Sequence, residues 1–74
     1  MDIENLIRMG NQIASFYESY PDQVEARKEI ASHLKKFWAP RMRTELLNYV
    51  DREGAGLSDS LQASVREHRG MLNP

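Results

Sequence analysis

The stretch DIENLIRMGNQIASFYESYPD, residues 2–22, decides the fold class. Ile3, Leu6, Ile7, Gly10, Ile13, Ala14 and Tyr17 recur at the intervals that place side chains on one stripe of an α-helix. Asp2 is positioned to cap that helix, and Glu4 falls in its electropositive first turn. Tyr20-Pro21 ends it, because the residue before a proline is pushed out of the α region. Gly10 and Ala14 lie one turn apart on the buried side and predict a close helix crossing, although glycine costs about 1 kcal/mol of propensity relative to alanine. A second row, Met9, Ile13, Phe16 and Tyr20, widens the apolar face beyond what one neighbour needs. The helix should touch two neighbours.

Outward from this stretch the pattern repeats. Asp22 and Glu25 have the spacing of a capping box, and Val24, Arg27 (by its stem), Ile30, Ala31, Leu34, Phe37 and Trp38 form the next stripe. Pro40 stops or kinks that helix and suits the first position of another, whose apolar residues are Met42, Leu46, Leu47, Tyr49 and Val50. Gly54 and Gly56 supply its stop. Ser58 opens a fourth, weaker helix with Leu61, Val65 and His68 along one edge. Gly70 then serves as a C-cap, and residues 70–74 should fray. No period-2 alternation occurs. The expectation is an all-α fold: a small three- to four-helix bundle with short loops, residues 1–74 forming one domain.

Seventy-four residues give only a thin core, and the absence of cysteine rules out disulfide staples, thiolate metal sites and thiol nucleophiles. A domain this small without a staple points to a partner, and self-association is one outcome when it is isolated. The longest apolar runs are too short for a membrane span or a signal-peptide core, so a cytoplasmic protein without membrane contact is expected. His33 and His68 fall on different helices, and Glu67 and His68, adjacent on a helix, point about 100° apart. Ser58, Ser60 and Ser64 lack the strand-to-helix elbow of a serine nucleophile, and the glycines at 54 and 56 lack a lysine and a preceding strand. The sequence therefore predicts no catalytic residue, no metal site and no bound cofactor.

Charge is unevenly distributed. Residues 1–25 carry five acids against Arg8, residues 26–43 carry six bases against Glu29, and residues 44–74 carry five acids against three bases. Within the basic centre, KKFWAPRMR (residues 35–43) joins four bases to two aromatics, a proline and a methionine. Adjacent aromatics on a helix diverge by about 100°, so Phe37 and Trp38 cannot share one narrow stripe. Tryptophan, arginine and methionine are enriched at interface hot spots. The segment is expected to be a partner-binding surface built from Lys35, Lys36, Trp38, Pro40, Arg41, Met42 and Arg43, with Met9, Phe16 and Tyr20 as a secondary face. The simpler reading keeps Phe37 and Trp38 in the core and the bases in solvent. A nucleic-acid or regulatory binding module using residues 35–43 is the alternative, but a sequence pI near 6.1 and acidic flanks disfavour contact with phosphates.

These residues, taken together, resemble a known family. MDIENLIRMGNQIASFYES, HLKKFWAPRMR at 33–43, Leu46-Leu47 and the GAGLS turn resemble the delta subunit of soluble NAD-dependent formate dehydrogenases, over Met1 to about Arg69. The most specific parts are Asn5, Arg8, Met9, Asn11, Gln12 and Ile13 in the first helix, and the FWAPRMR segment. The resemblance implies a role in a cytoplasmic complex. In such complexes the large subunit holds a molybdenum or tungsten pterin cofactor and iron–sulfur clusters, and other subunits carry flavin and reduce NAD. It further implies that this chain is an accessory subunit without a redox centre, docking on the large catalytic subunit to support assembly or activity. The lack of cysteine fits that division, since iron–sulfur ligation would require it.

Overall fold

A computed structural model describes residues 2–73. The described residues form five helices: α1 (Ile3–Tyr17), α2 (Gln23–Phe37), α3 (Pro40–Arg52), α4 (Asp59–Glu67) and α5 (Arg69–Leu72). The fold is all-α, as the periodicity requires. α2 is central and packs against α1, α4 and α5. Met1 and Pro74, included in the single-domain expectation, lie outside the described residues.

The caps follow the sequence. Asp2 accepts from the Glu4 amide at 3.1 Å, and Asp22 accepts from the Val24 and Glu25 amides at 3.0 and 3.3 Å. Ser58 Oγ accepts from the Leu61 amide at 3.3 Å, and Pro40 takes the first turn of α3. α1 ends at Tyr17, three residues before the expected stop. Gln23 Nε2 donates to the carbonyls of Tyr20 and Glu18, at 2.8 and 3.3 Å, and so satisfies backbone acceptors that a helix end leaves free.

Gly10 is where the helices come closest. A β-carbon there would stand 2.9 Å from Leu61 Cδ2, too close without a shift, and 3.7 Å from the Trp38 ring, an ordinary contact, so glycine lets α1 approach Leu61. The predicted close crossing is present, and its occupants are Leu61 of α4 and the Trp38 indole. Gly54 and Gly56, with φ of +65° and +86°, turn the chain between α3 and α4. Asn11 holds that turn against α1: its Nδ2 donates to the Gly56 carbonyl and its Oδ1 accepts from the Ser58 amide, both at 2.8 Å. Ser64, fully buried, donates to the Arg27 carbonyl at 2.6 Å and ties α4 to α2.

Two expectations are corrected. Residues 69–72, where Gly70 was expected to cap a helix and open a fraying tail, form α5 with Gly70 inside it and Leu72 buried in the core. Leu72 is the apolar side chain that anchors α5 to the core. The stripe of α2 also differs, running Ala26, Ile30 and Leu34 with Ala31 beside it, while Val24 and Phe37 are exposed.

A candidate interaction groove between α1 and α2

The position of Trp38 creates the candidate site. α2 ends at Phe37, and Trp38 adopts an extended conformation (φ −91°, ψ 138°) while its amide still donates to the Leu34 carbonyl at 3.0 Å. Ala39 is extended as well, as the residue before Pro40 must be. Leaving helical geometry swings the Trp38 indole under Gly10 and into the core, where it is 6% exposed. Phe37, still helical, stays in solvent at 72% exposure. The pair does divide between core and surface, but Phe37 takes the surface.

Phe37 forms one wall of a groove between α1 and α2. The cavity holds ≈ 570 Å³ and is lined by Met9, Ile13, Phe16 and Tyr17 from α1, His33 and Phe37 from α2, Trp38 at its floor, and Gln12. Phe16, also 72% exposed, forms the facing wall. The rings touch in sequence: Phe16 to Tyr17 at 5.1 Å between centroids, Tyr17 to His33 at 6.5 Å, and His33 to Phe37 at 4.8 Å. Tyr20 stands edge-on to Tyr17 at 5.4 Å, outside the lining itself. Covering Phe16 and Phe37 would gain on the order of 4 kcal/mol before the costs of association. Paired exposed aromatics over an apolar floor are the kind of surface that partners cover.

The expected corner at 35–43 is not assembled as one surface. Lys35, Lys36, Pro40 and Arg41 are exposed, Met42 is half-buried against the core, and Trp38 is buried. Arg43, expected on that surface, is buried. It is 6% exposed, and its Nη1 donates to the Lys35 carbonyl at 2.9 Å, fastening α3 to the last turn of α2. Of the expected secondary face, Met9 and Phe16 line the groove, and Tyr20 lies beside its lining residue Tyr17. Reasoning from sequence missed Phe37 and His33, although their i, i+4 spacing and the adjacency of Phe37 to Trp38 were the available signals.

Among the described residues no three His, Asp or Glu side chains converge as metal ligands, and no described helix is long and apolar enough to cross a membrane. The NADH-dependent formate dehydrogenase delta subunit family, FdsD, matches over residues 5–65. The chain belongs to this family. No curated protein and no solved structure matches it. The FdsD residues that carry the resemblance now have structural roles. Met9, Gln12 and Ile13 line the groove, Asn11 clamps the 54–58 turn, and Arg8 donates to the Asn5 side chain. Trp38 is the groove floor, and Pro40 sets the break that puts it there.

Proposed function

We propose that this FdsD chain is a non-catalytic accessory subunit that docks through the α1–α2 groove on the large catalytic subunit of a cytoplasmic formate dehydrogenase and supports its assembly or activity. Membership of the delta-subunit family carries the reading, because it places the chain with a multi-subunit enzyme. The groove supplies the means: two phenylalanines exposed on a domain with a thin core, over a floor of Trp38, Met9 and Ile13. The redox chemistry then belongs to the other subunits. The burial of Arg43 leaves the segment 35–43 with three exposed bases, which weakens the nucleic-acid alternative. Co-expression tests the proposal. The catalytic subunit should co-purify with the tagged chain and lose formate oxidation when produced without it. A catalytic subunit that neither binds the chain nor responds to its absence would contradict it.

A further inference from the structure

α5 is attached to the body of the protein differently from the four longer helices. Among the described residues, Leu72 is the one buried residue outside the 5–65 stretch that matches the FdsD family. α5 packs on α2, α3 and α4, yet its backbone bonds stay local. The Met71 and Leu72 amides donate to the His68 carbonyl at 3.0 and 3.2 Å, and the Asn73 amide donates to the Arg69 carbonyl at 2.9 Å. Two side chains make the attachment: Leu72, 1% exposed in the common core, and Arg69, which pairs with Asp51 of α3. That ion pair is about half exposed on both sides, so solvent screens it. Met71 is half-buried. Gly70 adds no packing, since a β-carbon there would meet nothing within 4 Å, and glycine has the most backbone freedom to lose. The link to α4 is a single residue. His68 leaves helical geometry (φ −114°, ψ 32°) while its amide still donates to the Ser64 carbonyl at 3.0 Å. α4 is therefore complete before α5 begins, and α5 can leave without unwinding it.

We infer that α5 is a detachable strap, which opens and closes over an apolar socket between α2, α3 and α4 while those helices stay folded. Two opposing effects of similar size make it reversible. Closing orders a four-residue turn, and the entropy lost is comparable with the gain from burying one leucine. The local bonds of the turn do not tip the balance, because a helix this short is unstable alone. The Leu72 side chain thus holds the strap shut, and the socket is filled by the protein's own chain. Opening is a local event, far smaller than global unfolding, and it uncovers both Leu72 and the core positions beneath it. A partner with higher affinity for the open form shifts the population toward it by that difference in affinity and no more. The strap is separate from the α1–α2 groove, whose lining includes no residue of α5. The inference does not depend on docking through that groove.

Amide hydrogen exchange on the full chain, followed residue by residue in rising urea below the unfolding transition, tests this. In wild type the Leu72 and Asn73 amides should be protected roughly ten- to a hundredfold, less than the slowest amides of α2. Their rates should barely respond to urea, since local opening exposes little surface. Leu72→Ala should raise the open population at least about thirtyfold and abolish that protection, with the amides of α2 still protected. Gly70→Ala, whose new methyl meets no neighbour, should instead slow exchange at Leu72 and Asn73 about two- to fivefold. Leu72 and Asn73 amides as slow and as urea-sensitive as those of α2 would overturn the proposal, because α5 would then open only with the whole fold. Wild-type amides there without any protection, a Leu72→Ala chain that loses all its helices, or a Gly70→Ala chain with unchanged rates would overturn it as well.

Discussion

The Arg43 guanidinium donates to the Lys35 carbonyl at 2.9 Å from a position only 6% exposed. This bond spans the break made by Trp38, Ala39 and Pro40, and it fixes the angle between α2 and α3. A carbonyl near the end of α2 is an acceptor the helix itself leaves free, and a cation is favoured there by the helix dipole.

Arg43→Ala should accordingly cost about 2 kcal/mol of folding free energy, the range for a charge-assisted hydrogen bond lost from a buried site. Arg41→Ala, at an exposed position, should change stability by less than about 0.5 kcal/mol. Urea unfolding of the two variants makes the comparison. Equal, small effects would contradict the structural role of Arg43.

Asn11 carries a second prediction. Its side chain serves both a carbonyl and an amide of the 54–58 turn, each at 2.8 Å. Asn11→Ala removes both bonds and should destabilise by about 2 kcal/mol. Hydrogen exchange should accelerate first at the Ser58 amide, whose acceptor is lost. Unchanged protection there would show that the turn holds without the clamp.

Much of this was legible in the chain. Asp2, Asp22, Ser58, Pro40, Gly54 and Gly56 are local signals, and each acts within a turn of its own position. Gly10 announced a close crossing, although its neighbours Leu61 and Trp38 come from distant segments. The site was harder to read because Trp38 stops obeying the helical period one residue after Phe37. Extending the α2 stripe keeps both aromatics on the apolar face, whereas Phe37 ends the helix in solvent and Trp38 reaches the core from the extended backbone before Pro40. Arg43 was misread for a related reason: its bond to Lys35 depends on the inter-helix angle, which periodicity does not contain. Leu72 was missed because a four-residue helix has too few positions to display a period.

Tyr49 makes the stability of the fold depend on pH in the alkaline range. Its hydroxyl donates to the Ala55 carbonyl at 2.6 Å, and burial, followed by the nearby Glu53 carboxylate, raises its pKa above the ordinary 10.0. A group whose folded pKa is raised favours the native state while protonated. That contribution is complete below pH 10 and is lost as pH climbs through the folded value. Tyr49→Phe should lower stability at neutral pH by removing the bond to the Ala55 carbonyl. The difference from wild type should stay flat to about pH 9.5 and shrink at higher pH. Urea midpoints at pH 8, 9.5 and 11 measure it, and a pH-independent difference would contradict the assignment.

The most direct test of the α1–α2 groove as the docking surface is capture of the formate dehydrogenase catalytic subunit by immobilised chain, with unfolding midpoints measured in parallel. Trp38→Ala should fail by losing the fold, at about 3–5 kcal/mol for a large buried aromatic. Phe16→Ser/Phe37→Ser should keep the wild-type midpoint within a small margin and yet capture at least about tenfold less, as expected for interface hot spots. Capture by that double variant at the wild-type level, with its fold intact, would contradict the account.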